Sequence, residues 1–494
     1  MSSNILGSPN GNSILIGDPM PGLDETISAF AFNNIIYAMG ANDQINTGSG
    51  NATVHLNGNA TPPATFVGVT DTVNVGGAFN VIETEGGGHV DSTLTVQGGS
   101  GLNVVTLQNV NGNNNVALQG FFNTITVNSN ATDTVLSGAG NSRVSAGTIG
   151  DGNVGFATTV IDAGQHNTVT GGDQNFTISG GQGFDFIMIG NGNNNVTEAG
   201  VQDKITVGGG NNVIKDLGGH ANITVGSANG VDPDNIDNIS LAGTNNTVTG
   251  LSDQDFTINV TGGGSGKFTL GNGNNFLSTD GNNNTIVEGT ADEPGGDTVL
   301  ANGSSNRITL GNAANTVTAN GNTDTITVGN GNNTISGTGN NDTITLGSGK
   351  NGLIATGDSD TITANKGTDT ISLGSNAVLT LNGTATGTTI DSIGAQNSIV
   401  LNNSANAKIM DALSGGELNV TINANGGNSG NVVLTGFADD GDLNGVIDLE
   451  GFGLTNISQL NATSDGNGGT LIHLGTGSLD LAFATIHAQN FAFS

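Results

Sequence analysis

The chain has no cysteine, no tryptophan, one tyrosine, seven prolines and only eight Lys and Arg among its 494 residues. Each shortage removes a class of protein. Without thiols there are no disulfides, thiolate metal sites or cysteine nucleophiles, and an oxidising compartment does the chain no harm. Set against 41 Asp and Glu, the eight cations leave a formal net charge of −33. No positive field exists to hold phosphates, which argues against a nucleic-acid partner. No apolar run reaches the ~18 residues that a membrane-spanning helix needs. The opening stretch MSSNILGSPNGNSILIGDPM lacks a basic segment ahead of an apolar one, so it does not read as a secretory signal peptide.

Glycine is what abounds: 84 residues, about 17% against a usual ~7%. It does not fall at every third position, so a collagen helix is excluded. Asn, Thr and Asp are also plentiful, and they favour turns over helices. Few aromatics and a high net charge would ordinarily leave such a chain disordered. Periodicity overrides that expectation.

An aliphatic residue recurs every nine positions: Val160, Val169, Ile178, Ile187, Val196, Ile205, Ile214, Ile223. A second run reads Val299, Ile308, Val317, Ile326, Ile335, Ile344, Leu353, Ile362, Ile371. Thr or Ser often flanks each one, and Gly/Asn/Asp segments lie between, the pattern of a short strand followed by a tight turn. Nine residues are too few for a unit containing a helix. The expected fold is therefore all-β, a parallel β-solenoid in which two units, about 18 residues, make one coil with strands on two opposed sheets. From Ile27 to Ile399 this amounts to roughly 21 coils and a rod of ~100 Å at ~4.8 Å per coil. The expected organisation is an N-terminal segment (1–26), the solenoid (27–429) and a small β-rich C-terminal module (430–494). The rhythm is interrupted near TPPATF, GSANGVDPD and EGTADEPGG, which read as loops leaving the solenoid.

One unit, Gly180-Gly181-Gln182-Gly183-Phe184-Asp185-Phe186-Ile187-Met188, fits G-G-x-G-x-D-x-U-x at every position. It resembles the calcium-binding nonapeptide of RTX (haemolysin-type) repeat proteins. The resemblance implies a β-roll whose turn carboxylates and backbone carbonyls bind calcium, a hard cation that prefers oxygen ligands. Other units depart from the motif in an ordered way. Two positions before the core aliphatic stand Asp324, Asn333, Asp342, Asn351 and Asp360, and earlier Asp185, Asn194, Asp203 and Asn212. Asp thus returns every 18 residues on one edge and Asn on the other. Asp297 and Asp369 hold the same place before Val299 and Ile371. Carboxylates one coil apart, about 4.8 Å, repel by ~3–4 kcal/mol at an effective dielectric near 20 and by ~1 in water. Protons, screening or bound cations must relieve a ladder of them. Calcium is the simplest answer, held by Asp185, Asp203, Asp297, Asp324, Asp342, Asp360 and Asp369. Stacked Asn amides form neutral ladders instead. The alternative is that both residue types serve only as turn formers.

The last part of the chain carries a second resemblance. GFADDGDLNGVID and the terminal DGNGGTLIHLGTGSLDLAFATIHAQNFAFS are similar to the C-terminal module and uncleaved signal of proteins exported by the ABC-type (type I) secretion machinery. That resemblance implies an extracellular or cell-surface protein of a Gram-negative bacterium. Asp440, Asp442 and Asn444 open an EF-hand-like loop. Gly451 stands where its closing Glu belongs, so at most a lone calcium-stabilised turn is expected.

Enzymatic motifs are missing. The six histidines form no H-E-x-x-H, no G-x-S-x-G occurs, and Phe268 replaces the Ser/Thr that Gly262–Lys267 would need to be a phosphate loop. A non-enzyme is expected. Repeats fill nearly the whole chain, which favours a calcium-stabilised structural protein that self-assembles in a surface layer, filament or biofilm matrix, with cell-surface polysaccharide as a further partner. Ice binding through the repeated Thr325/Thr327, Thr343/Thr345 and Thr361/Thr363 pairs, or an adhesin role, is the alternative.

Overall fold

A computed structural model describes residues 2–17, 24–29, 32–38, 42–56, 70–84, 93–108, 113–128, 132–147, 157–162, 164–226, 236–251, 255–289, 295–383, 387–403, 405–411, 417–424, 428–436, 445–482 and 487–494. Two compact units divide the chain, Met1–Thr257 and Ile258–Ser494. Both are parallel β-solenoids, each coil giving one short strand to each of two sheets. The coil is 18 residues long from Val160 to Ile223 and from Val299 to Ile371, and reaches 28 elsewhere, as between Ile45 and Val73. The described residues include two single 3₁₀ turns, Ile457–Gln459 and Ala488–Asn490. No helix among them is long and apolar enough to cross a membrane.

The nine-residue rhythm becomes two columns of buried side chains. In the first unit Val160, Ile178, Val196 and Ile214 stack in register on the first sheet. Val169, Ile187, Ile205 and Ile223 do so on the second. The second unit repeats this with Val299, Val317, Ile335, Leu353 and Ile371 on its first sheet. Ile308, Ile326, Ile344 and Ile362 form the column opposite. All of these are buried, and side chains alternate inward and outward because the strand period is two. Burying each Ile or Val contributes on the order of 1.5–3 kcal/mol.

The stacking takes in residues ahead of Ile27, since Ser2–Leu6 pairs with Asp24–Ser28 and Ile14–Ile16 with Asn34–Ala38. At the other end it runs on past residue 430. Asn431–Thr435 takes Gly477–Ala482 as its next parallel neighbour, and Ile447–Glu450 takes Phe491–Ala492. Gly477–Ala482 also closes an antiparallel sheet with Thr470–Leu474 and Asn461–Ser464, so the C-terminal module is β-rich and joined to the coils. Most of the three interrupting segments lies outside the described residues. Register survives all three: Ile45 pairs with Val73, Ile214 with Ile239 and Leu277 with Val299 across them.

Glycines at one corner of the second unit allow the coils to close on each other. A Cβ on Gly339 would fall 1.6 Å from the Gly321 carbonyl oxygen, and one on Gly357 would fall 1.6 Å from that of Gly339. Gly352 differs, for a Cβ there meets nothing within 4 Å, and its outward neighbours in register are Thr334 and Thr370. Gly339→Ala is expected to destabilise by at least ~1–3 kcal/mol through backbone overlap. Gly352→Thr is expected to be neutral or to stabilise by up to ~1 kcal/mol by restricting the unfolded chain. Chemical denaturation of the two variants checks both.

Candidate metal centre

Each strand enters its sheet from a corner, and at many corners the backbone N–H has no ladder partner of its own. There an inward Asn or Asp of the following coil supplies one. The N–H of Asn306 donates to Asp324 Oδ1 at 2.7 Å, that of Asp324 to Asp342 Oδ1 at 2.8 Å, and that of Asp342 to Asp360 Oδ1 at 2.9 Å. In the first unit Asn167 N–H donates to Asp185 Oδ1 at 2.7 Å and Asp185 N–H to Asp203 Oδ1 at 2.8 Å. These residues are buried, so they line the interior of the corner rather than project from the turn.

Asn and Asp do different things at this place. The Asn333 Nδ2 donates to the carbonyls of Gly329 at 3.1 Å and Gly331 at 2.9 Å within its own turn, and to Asn351 Oδ1 at 2.9 Å in the next coil. Asn194 repeats the arrangement with Gly192 and Asn212. An Asp has a second oxygen where that donor would be. Oδ2 of Asp185, Asp203, Asp324, Asp342 and Asp360 is buried and accepts no hydrogen bond. Burial, the largest cause, pushes Asp185 and Asp324 up to about 6 and Asp342 up to about 7, from 3.8. Each Asp-to-Asp step therefore sets acceptor against acceptor, which a proton or a cation resolves.

The charge is densest around the complete nonapeptide. Glu198 ends the strand Asn195–Glu198, points inward with 0% exposure, and has no hydrogen-bond partner at either Oε. Ligand oxygens of Asp185, Glu198 and Asp203 lie within 4.8 Å of one another. A Cβ on Gly180 would fall 1.6 Å from Glu198 Oε2, so the first glycine of the motif makes room for this carboxylate. Asp216 is the register neighbour of Glu198 one coil on. Asp162, held by the Ser137 hydroxyl at 2.6 Å, stands at the same corner before Gly180. Burial first, then the charges of Asp185, Asp203, Asp162 and Asp216, push Glu198 up to about 9. Burial also raises Asp162 to about 7 and Asp216 to about 6.

Among the described residues none of the five carboxylates pairs with a Lys or Arg. The nearby Lys204 faces outward, its Nζ 5.3 Å above the Phe186 ring. Three carboxylates whose oxygens lie within reach of one ion, with two more charges beside them and no nitrogen or sulfur in the group, fit a hard divalent cation such as calcium.

The sequence-derived candidates therefore divide. Asp185 and Asp203 share one corner of the first unit, and Asp324, Asp342 and Asp360 stack in one corner of the second. Asp297 and Asp369 stand at the opposite corner of the second unit, where their Oδ1 atoms accept the Nδ2 of Asn275 at 3.0 Å and of Asn351 at 2.8 Å. Asp369 ends the run Asn315–Asn333–Asn351, Asp297 interrupts the Asn column between Asn275 and Asn315, and neither extends the Asp ladder. Asp440, Asp442 and Asn444 lie outside the described residues. Asp162, Glu198 and Asp216 are additions from the structure. Their signal is position: each lies two residues past a core aliphatic (Val160, Val196, Ile214), a site that faces inward and elsewhere holds Val207, Leu346 or Ala364. Glu288, two past Ile286, is another such acid, buried with both Oε atoms unpartnered and raised well above 4.5 by burial and then Asp297.

Comparison with protein-family models, curated proteins and solved structures returns no match.

These shifts fix the sign of the pH response. Carboxylates whose folded values lie above their unfolded ones hold protons that the unfolded chain releases. Their ionisation penalty is absent below about pH 4 and complete above about pH 9, the raised value of Glu198. Without divalent cations the first unit is expected to melt at a lower temperature at about pH 8 than at about pH 5. Glu198→Gln is expected to raise the melting temperature at the alkaline end and flatten the profile, as calorimetry in chelator would show.

Proposed function

We propose that this chain is a secreted, calcium-stabilised structural solenoid that self-assembles outside the cell, in a surface layer, filament or biofilm matrix. The observation that carries the reading is the buried, partnerless Glu198 among Asp162, Asp185, Asp203 and Asp216, at the one corner built from a complete nonapeptide. The RTX resemblance supplies the cation, and the tail resemblance supplies export through the type I route of a Gram-negative bacterium.

The physics couples folding to location. Where calcium is scarce, the −33 chain repels itself and the carboxylate corners oppose stacking. Where calcium is abundant, the ion binds the folded corner and not the unfolded chain, and so adds RT ln(1 + [L]/Kd) to stability, about 2.7 kcal/mol per site at a hundred times Kd. Asp185, Glu198 and Asp203 would hold the ion, with Asp162 and Asp216 adding charge. An unfolded chain threads an export channel, and a calcium-loaded one stays folded outside.

A second reading has its own observation. Thr325, Thr343 and Thr361 stack in register, as do Thr327, Thr345 and Thr363, which forms an outward two-column hydroxyl array of the kind that suits ice. Thermal hysteresis at high protein concentration separates the readings, since a scaffold without ice affinity shows none.

Calcium added to chelator-treated protein at neutral pH and low salt is expected to raise the β-sheet circular dichroism and the melting temperature together. Glu198→Gln is expected to weaken the response of the first unit at least tenfold in calcium concentration. A chain fully folded and equally heat-stable in excess chelator would remove the calcium reading.

A further inference from the structure

The outward faces of the coils carry many Thr, Ser and Asn with scattered apolar side chains, and one region of the first unit gathers apolar side chains in a column. On its second sheet Ile14, Ile35, Thr53, Val81 and Val104 form one outward column in register. Beside it Phe79 is 52% and Leu102 45% exposed, and together they border a groove of about 480 Å³. The equivalent outward column of the second unit reads Lys267, Thr285, Arg307, Thr325, Thr343 and Thr361 before it reaches a single apolar residue, Val378. An apolar groove where the same fold elsewhere places hydroxyls marks a contact surface.

Its chemistry selects the occupant. No ionisable side chain lines the groove, and no Lys or Arg occurs before Arg143. An anionic lipid surface or a nucleic acid would meet only the repulsion of the −33 chain. A basic partner would find no carboxylate within the groove, and the Glu83 carboxylate on the next outward column already lies 3.9 Å from His55 Nδ1. A second copy of the chain, equally acidic, can approach closely only where neither surface carries charge. The polar rim also suits it. Asn33 and Asn51 are amides, each both donor and acceptor, so each can pair with its own copy across a two-fold axis, which carboxylates cannot do.

We propose that this groove is a self-association face, at which two copies meet through Ile35, Phe79, Leu102 and Val104 about a two-fold axis near Thr53. The proposal rests on the self-assembly reading and names the surface that performs it.

The absence of cysteine makes the test clean. The calcium-loaded full-length chain, and its Phe79→Ser/Val104→Asp variant, would be compared by sedimentation equilibrium over a concentration series. The wild type is expected at twice the 48.9 kDa chain mass or above, and the variant at least tenfold weaker in the step that forms the pair. Ile354→Thr, which removes an apolar side chain 52% exposed in the second unit, should leave the mass unchanged. As a readout independent of these substitutions, Thr53→Cys under mild oxidation should give a covalent dimer, and Thr325→Cys should not. If the wild type assembles, the folded variant assembles equally and Thr53→Cys fails to cross-link, the face is overturned while self-assembly stands on another surface. A wild type that stays monomeric at every concentration overturns both, whether or not it binds vesicles or other proteins.

Discussion

At corner after corner a strand starts with a backbone N–H that the strand ladder does not reach. Along most of the regular stretches an inward side-chain oxygen from the next coil accepts that hydrogen, and this one bond explains much of the composition. The side chain must be short, carry an acceptor at a fixed reach and repeat once per coil at each corner. Asn and Asp meet all three conditions. Asn adds a donor that ties its own turn to the next coil, so Asn194–Asn212 and Asn333–Asn351 are self-sufficient. Asp offers the same acceptor but leaves its second oxygen buried and unpartnered, and so turns a structural bond into an electrostatic demand.

Glu198 takes that demand furthest. It lies where other coils bury an aliphatic side chain, and Gly180 beneath it leaves space for the carboxylate. Hydrophobic stacking on either side holds the corner together while five carboxylates oppose one another inside it. The stable forms of such a corner are protonated or cation-bound, and which one prevails depends on the surrounding pH and ion concentration. Much of the net charge of −33 is thus organised by the fold, in corners whose coils are otherwise bound by neutral amides.

The β-solenoid was legible because its signal is one-dimensional. Val160 to Ile223 and Val299 to Ile371 keep a nine-residue spacing that only two alternating short strands can satisfy, and the structure stacks those residues in register. The corner chemistry was legible in part. The 18-residue return of Asp324, Asp342 and Asp360 marks one edge, but the same position before the core aliphatic also includes Asp297 and Asp369, which stand among asparagines on the other edge. Glu198, Asp162 and Asp216 escaped because a lone acid within a strand looks like a solvated one until its neighbours are known.

The amino-acid sequence by itself determined the period, the inward row and the residue types able to serve at a corner, because these follow from strand alternation and the reach of a side chain. Only the tertiary structure decided which carboxylates share a corner, which of their oxygens are left without a donor, and which outward face is apolar. Those properties depend on residues 18 or more positions apart that become neighbours only when the coils stack. Burial then alters the energy of a charge in a way that its neighbours in the chain do not reveal.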